Sequence, residues 1–304
     1  MKNKINVFMG KIFIKLSQKG IFKYMPDEKF LKIMYRARMY KKLNFNNPET
    51  FSEKLQWLKL YDRKDIYTTM VDKYEAKKYI ADKVGEEYII PNIGIWDDFN
   101  EIDFTKLPNK FVLKVTHDSG GVLICKNKKE FNVQEARKKI NKSLKSNYYY
   151  RSREWPYKNV KPRIIAEVYM EDNTDKQLLD YKVLCFDGVA KCSFVCSNRN
   201  SEKGLNVDFY DINWNHMPFE RKYKNSENII KKPINYNKMI EIAERISENI
   251  SFLRVDFYEI HGKLYIGELT FYPGSGMEEF RPEKYDKLFG DWLDLPTKKE
   301  KKHE

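Results

Sequence analysis

The run FLRVDFYEIHGKLYIGELTFYPGSG, residues 252–276, carries the side chains best suited to chemistry in this chain. Strand alternation puts Arg254, Asp256 and Tyr258 on one face of its first half, with Leu253, Val255 and Phe257 on the other. In the second half Ile266, Glu268 and Thr270 share a face. His261-Gly262 reads as a two-residue turn, which makes the halves antiparallel neighbours and sets Asp256 beside Glu268. Two carboxylates about 5 Å apart repel unless a cation lies between them. Oxygen ligands from Asp256 and Glu268, with Thr270 two residues on, suit Mg²⁺ and its attached phosphates. Arg254 adds a fork for phosphate oxygens. The plain alternative is a solvated sheet face with Arg254 paired to one acid, and this segment by itself leaves both open.

Other residues raise similar questions. VLKVTHDSGGVLI, Val112–Ile124, reads as two short apolar strands around a polar loop, with Lys114 inside the first strand and Ser119-Gly120-Gly121 at the turn. A plain glycine hairpin needs no lysine in an otherwise buried run. His117, beside Asp118, touches either a ligand or nothing of note, and Ser119 has no His/Asp set that would make it a nucleophile. Lys182 in DYKVL shares a face with Asp180 and Leu184, as a cleft cation or as a simple surface pair. The cluster NYYYRSREWPYK, Asn147–Lys158, with Arg151 and Arg153, suits sugar stacking, single-stranded nucleic acid or plain packing on a core.

The elements that must position these residues change in character along the chain. From Pro26 to Val84 the pattern is helical. Thr50 and Glu53 form a capping box that opens FSEKLQWLKLYD. A second helix spans about Tyr67–Lys83, and Gly85 ends it. After Tyr88 come short β-rich runs: YIIPNIGIW, KFVLKV and GVLICKN, then a helix over Gln134–Ser146, then RIIAEVYM, YKVLCFDG, AKCSFVCSN and VDFYD. Asn235–Asn249 is an amphipathic helix before the final hairpin. Antiparallel hairpins mixed with helices, without strict βαβ alternation, argue an α+β fold. The expected organisation is a helical region over 1–87, a central lobe over 88–172, a C-terminal lobe over 173–295 and a charged tail over 296–304.

Composition narrows the classes. With 304 residues, 41% apolar and 15% aromatic, the chain can build a core and is not a disordered segment. Its 57 basic against 44 acidic residues give a net charge of +13, which favours anionic partners, although a base composition rich in Lys, Asn, Ile and Tyr codons accounts for it equally well. Cys125, Cys185, Cys192 and Cys196 lack metal-ligand spacing and read as reduced core thiols of a cytoplasmic protein. No run of about 18 apolar residues exists to span a membrane. The N-terminal segment MKNKINVFMGKIFIKLSQKGIFKYM is basic on one face and apolar on the other. It either packs on its own domain or rests on an anionic inner leaflet.

Taken in order, KFVLKVTHDSGGVLI, RIIAEVYMED, DYKVLCFDG and the final hairpin resemble the ATP-grasp superfamily, whose D-alanine–D-alanine ligases end in an R-x-D strand followed by E-x-N-x-x-P-G. More closely, NPETFSEKLQWLKLYDR, VDKYEAKKYI, WPYKNVKPRIIAEVYM and ELTFYPGSG resemble the TupA-like ATP-grasp family of teichuronopeptide and capsular polysaccharide biosynthesis, over about Phe45–Trp292. The resemblance implies two α+β lobes clamping Mg-ATP. It implies that Lys114 contacts the nucleotide phosphates and that Ser119, Gly120 and Gly121 form the flexible loop over them. Glu167 would lie near the adenine amino group, the backbone of Val168 and Tyr169 would read the adenine edge, and Lys182 would serve the phosphates. Asp256, Glu268 and Thr270 would hold Mg²⁺. Thr270 stands where the ligases have Asn, which puts a second metal in doubt.

The function implied is an ATP-dependent carboxylate–amine ligase working through an acyl-phosphate, with Arg254 and Lys182 as catalytic cations. Its partners would be an acidic glycan, or its nucleotide- or lipid-linked precursor, and an amine or amino acid. Work at the inner face of the membrane would suit such a precursor; nucleic acid is not the expected partner. Alternatives are a glycan kinase of the same fold, a metal-dependent glycosyltransferase, which lacks a convincing D-x-D pair here, and a non-catalytic basic binding protein.

Overall fold

Helices open the chain and strands follow. The computed structural model describes residues 2–171, 178–198 and 204–297. The first helices are α1 (Lys2–Ser17), α2 (Asp27–Met39), α3 (Phe51–Tyr61), α4 (Ile66–Val71) and α5 (Glu75–Val84). Phe13 of α1 stacks on Phe22 at 4.5 Å and tilts against Phe30 of α2 at 5.4 Å, so this amphipathic segment packs on its own domain. The Thr50–Glu53 capping box forms and starts α3. The single helix expected over residues 67–83 is two. Asp72 breaks it, because Asp72 Oδ1 accepts from the amides of Tyr74 and Glu75 at 2.8 and 3.3 Å and competes with the helical ladder. Gly85, at φ 119°, ends α5 as expected.

The strands form two principal antiparallel sheets. β1 (Asn92–Trp96), β2 (Phe111–Val115), β3 (Val122–Cys125) and β4 (Ile164–Val168) make a four-stranded sheet in the order β1-β4-β2-β3. The helix α6 (Val133–Leu144) buries Ala136 and Ile140 in a cluster with Phe111, Leu113, Ile164 and Ala166. A short helix, α7 (Tyr149–Ser152), lies before β4 in the chain. Next come β5 (Asp180–Phe186), β6 (Val189–Ser197), β7 (Asn206–Asp211), β8 (His216–Met217) and β9 (Glu220–Arg221), then α8 (Tyr236–Ser247). The hairpin β10 (Phe252–Ile260) and β11 (Lys263–Thr270) completes a six-stranded sheet in the order β11-β10-β5-β6-β7-β8. β12 (Phe280–Arg281) pairs with β9, and α9 (Lys284–Asp291) follows.

The main core joins the N-terminal helices to the larger sheet. Phe51 of α3 meets Phe186, Phe252 and Phe289 with ring centroids 4.9 to 5.7 Å apart. Each fully buried ring of this kind contributes roughly 1.5–3 kcal/mol, so α3 is fixed relative to β5 and β10. The α+β expectation holds. All four cysteines are buried and outside any disulfide. Among the described residues no helix is long and apolar enough to cross a membrane. Residues 298–304 of the expected charged tail lie outside the described residues.

Candidate functional site

His261 and Gly262, at φ 50° and 75°, form the expected two-residue turn, and Ile260 pairs with Lys263. Asp256 lies opposite Glu268, and Arg254 opposite Thr270. One expectation fails. A β-bulge follows, because Phe257 pairs with Ile266 and leaves Gly267 without a partner. Ile266 therefore joins Leu264 in the core instead of sharing a face with Glu268 and Thr270. A Cβ at Gly267 would come within 2.8 Å of Tyr258 Cε2, so the glycine itself was the readable signal for the bulge.

The cation between the two carboxylates is Arg254. Its Nε and Nη2 donate to the two oxygens of Asp256 at 2.6 and 2.7 Å, and Nη2 donates to Thr270 Oγ1 at 2.9 Å. The same nitrogen lies 3.5 Å from Glu268 Oε2. From β5, Lys182 sits opposite Asp256, donates to its Oδ2 and pairs with Asp180 at 2.8 Å. Three acids, Asp180, Asp256 and Glu268, thus face two bases, for a net charge of −1. Burial lowers the Lys182 ammonium, but Asp180 and Asp256 outweigh it and hold its pKa above the ordinary lysine value. Burial pushes the Asp256 carboxyl up against the pull of Arg254 and Lys182. The bidentate contact requires a carboxylate, so Asp256 is ionised with its cations in place.

Does this set fit Mg²⁺? Its donors are hard oxygens, two carboxylates and a hydroxyl, and it carries excess negative charge. Among the described residues no three acidic, His or Cys side chains converge as a metal cage. Glu268 and Thr270 offer their oxygens to the cavity, a small donor set that suits an ion keeping its waters and taking phosphate oxygens as further ligands. Glu268, one-third exposed and loosely paired, is its most open donor.

On the smaller sheet the balance is reversed. Glu167 is buried and pairs with two lysines: Lys114 through Oε2, and Lys77 of α5 through Oε1 at 2.6 Å. Lys77 also donates to the Ile90 carbonyl and Asn92 Oδ1 at 2.7 and 2.5 Å. Burial raises the Glu167 carboxyl, yet Lys114 and Lys77 outweigh it and hold the pKa below the ordinary glutamate value. One acid against two bases leaves +1. Sequence reasoning missed Lys77, which lies one position from the buried stripe Ala76, Ile80 and Val84. The Val168 amide is already committed to the Pro91 carbonyl at 3.1 Å, so of the expected adenine-edge groups only the Val168 carbonyl and the half-buried Tyr169 remain.

The loop after β2 is pinned at both shoulders. Asp118 accepts from the Gly121 amide at 3.0 Å and from the Ser143 hydroxyl, and Lys73 donates to the Asp118 carbonyl. His117 is an anchor: its Nε2 lies 3.2 and 2.9 Å from the carbonyl oxygens of Ser143 and Ser146 at the end of α6. A Cβ on Gly121 would fall 2.2 Å from Val115 Cγ2, so the chain must pass there as glycine. Ser119 and Gly120 project as the exposed crest.

A polar stripe runs along α3, Ser52, Gln56 and Lys59 at i, i+4 and i+7; Ser52 binds Asp286, and Gln56 and Lys59 hold the turn after β11. Gln56 Nε2 donates to the Ser275 and Gly276 carbonyls at 3.2 and 2.9 Å, and Lys59 Nζ to Ser275 O at 2.8 Å. Gly274, Ser275 and Gly276 are all left-handed, at φ 61°, 59° and 62°. Glu154 accepts from the hydroxyls of Ser152 and Ser275 at 2.8 Å each. Burial lowers the Lys59 ammonium and raises the Glu154 carboxyl, and each charge opposes the shift of the other. This stripe was legible as polar residues in line beside an apolar face.

Between these parts opens a cavity of about 280 Å³. Ser119 of the loop, Arg254, Glu268 and Thr270 of the hairpin, and Gly274 and Ser275 of the turn line it, together with Arg38, Tyr148, Glu154, Lys222 and Glu278. Lys114, Gly120, Gly121, Glu167, Val168 and Tyr169 do not line it; Asp256 and Lys182 stand behind Arg254. Of the aromatic cluster over residues 147–158, Arg153 is wholly buried. It packs 4.2 Å from the Phe30 ring and pairs with Asp27, which is the packing role.

A family model described as TupA-like ATPgrasp matches residues 53–294. The sequence matches no curated protein. Among solved structures, the chain is similar to a D-alanine–D-alanine ligase from Bacillus anthracis complexed with ATP, at 14% identity and a TM-score of 0.39, covering 72% of this chain and 55% of that one. It is similar to a D-alanine–D-alanine ligase from Helicobacter pylori at 16% identity and a TM-score of 0.44, covering 82% and 70%. It is also similar to the biotin carboxylase domain of a 2-oxoglutarate carboxylase from Hydrogenobacter thermophilus, solved with MgADP and bicarbonate. There the identity is 15% and the TM-score 0.45, over 76% of this chain and 47% of that one. The chain thus spans little more than half of the first of these ligases.

Proposed function

The chain belongs to the TupA-like ATP-grasp family, and on that premise we propose that it is an ATP-dependent carboxylate–amine ligase acting on a surface-polysaccharide precursor. The observation that supports this most is the cavity where Ser119 meets Arg254, Glu268 and Thr270, since it joins a glycine loop to an acid-rich hairpin at one point. In this reading Lys114 supplies positive charge to the nucleotide phosphates, with Lys77 beside it. Glu167, the Val168 carbonyl and Tyr169 lie at the adenine end. Ser119, Gly120 and Gly121 cover the phosphates from the pinned loop. Mg²⁺, held by Asp256, Glu268 and Thr270, would neutralise the phosphate oxygens when bound.

A carboxylate oxygen of the first substrate attacks the γ-phosphorus. The bond to the β–γ bridging oxygen breaks and ADP leaves with that electron pair. The amine nitrogen of the second substrate then attacks the acyl carbon, phosphate leaves, and the nitrogen sheds its protons as the amide forms. Arg254 offers N–H donors to the oxygens on which charge accumulates, and Lys182 holds Asp256 and thereby the aim of Arg254. The work is mainly positioning and electrostatics. The +13 charge suits an acidic glycan, or its nucleotide- or lipid-linked precursor at the inner membrane face, as the carboxylate donor.

The test is product analysis. The protein is incubated with Mg-ATP, uronic-acid glycans and a set of amines. ADP, phosphate and a new amide are expected. ADP with a phosphorylated glycan would replace the ligase reading with the kinase; a transferred sugar with ATP intact, in a parallel mixture given sugar nucleotides, would replace it with a glycosyltransferase.

A further inference from the structure

Arg38 is the cavity residue that the reaction above does not use. It lies in the last turn of α2, outside the residues that match the family, and its half-buried side chain reaches the cavity wall. The other wall cations are engaged: Arg254 by Asp256 and Thr270, and Lys222 by Glu278 at 3.0 Å. The Arg38 side chain makes no hydrogen bond or ion pair with any described residue. A guanidinium carries five N–H donors in a planar fork that matches a carboxylate bidentately, and it cannot shed its charge. Holding one at the wall of a polar cavity with no hydrogen-bonded partner provides a site for an anion.

The same wall carries acids. Glu154 stands close enough to Arg38 to feel its charge: burial raises the Glu154 carboxyl, while Arg38 is among the groups that draw it down. Glu278 lines the cavity as well. Both signs of charge thus face one space of about 280 Å³, smaller than the ~300–1,000 Å³ of sites for drug-sized ligands. The complement of such a wall is a small zwitterion, not a simple amine or a long glycan segment.

We propose that Arg38 binds the carboxylate of an α-amino acid that enters as the amine substrate, with its ammonium group facing Glu154 and Glu278. The proposal rests on the ligase reading and names its second substrate. Arg38 is then a specificity-determining residue: an amine without a carboxylate leaves the guanidinium unpaired and binds more weakly.

The experiment is calorimetric titration of wild type, Arg38→Ala and Arg38→Lys, each with and without saturating Mg²⁺ and a non-hydrolysable ATP analogue. The titrants are the ATP analogue itself, glycine and both enantiomers of alanine, aspartate and glutamate, their α-carboxamides, and inorganic phosphate. At least one amino acid should bind the wild type, and its carboxamide should bind about 10-fold or more weakly, as expected for losing a charged hydrogen-bonded pair. Arg38→Ala should lose the same factor for the amino acid but not for the carboxamide, Arg38→Lys should recover part of it, and the nucleotide affinity should stay at the wild-type value in both variants. Nucleotide binding without binding of any amino acid overturns the proposal alone. So does an unchanged amino-acid affinity in Arg38→Ala, or a variant whose loss falls on the nucleotide or on inorganic phosphate. A wild type that binds no nucleotide overturns the ligase reading, and this proposal falls with it.

Discussion

The Lys77–Lys114–Glu167 cluster, two strand residues and a helical lysine, and the Lys182–Asp256–Arg254 cluster, all on strands, both hold an acid between two cations, yet their outcomes differ. Around Glu167 two partly exposed lysines outnumber one carboxylate, and the acid is held ionised. Around Asp256 the further acids Asp180 and Glu268 reverse the count, and the cations are the groups held charged. A surplus lysine charge suits phosphate, and a surplus carboxylate charge suits a metal ion. The same local motif of an acid between two bases therefore carries opposite net charge at the two sites, and what decides the sign is the third and fourth charge.

The comparison can be broken by substitution. The largest effect is expected from Asp256→Asn, which strands Lys182 and Arg254 without their shared carboxylate. Removing one partner of a buried pair costs about 3–5 kcal/mol, read as a lower urea midpoint at unchanged slope. Glu268→Gln should separate the roles. Its loose contact with Arg254 predicts little change in stability, while ADP formation should fall about 100-fold if the acid serves Mg²⁺. Equal loss of stability and rate would make Glu268 structural.

Lys114→Ala should weaken nucleotide binding about tenfold, the equivalent of about 1.4 kcal/mol, in a direct titration. The smallest effect is the pH dependence of Glu167. Its folded pKa lies below the unfolded value of about 4.3, so its stabilisation is complete above that value and is lost as pH falls through the folded pKa. Wild type should exceed Glu167→Gln in stability at neutral pH, and the gap should close in acid below the ordinary carboxylate range. A gap that persisted there would remove the ion pairs as its cause.

Much of this was legible along the chain, and the illegible part has a common cause. The capping box before α3, the His261-Gly262 turn and the Asp256–Glu268 pairing are local patterns, each set within one helix start or one hairpin. The Arg254 bridge was legible only as an alternative to a metal, since one spacing permits both. What stayed hidden came from afar. Lys77 reaches Glu167 across ninety residues of chain, and Lys59 reaches Ser275 across more than two hundred. No periodicity encodes such contacts. Two signals were readable and passed over: Gly267 inside a strand, which marks the bulge, and Asp72, whose side chain divides the expected long helix.

The most direct test of the two-cluster account is titration of ATP into the wild-type protein and Lys114→Ala, each with Mg²⁺ and with a chelator. The account predicts saturable binding by the wild type, weakened by chelation, and in Lys114→Ala a further loss that chelation does not abolish, because the two charges act at different places. ATP binding that ignored both the ion and Lys114, or no binding at all, would contradict it.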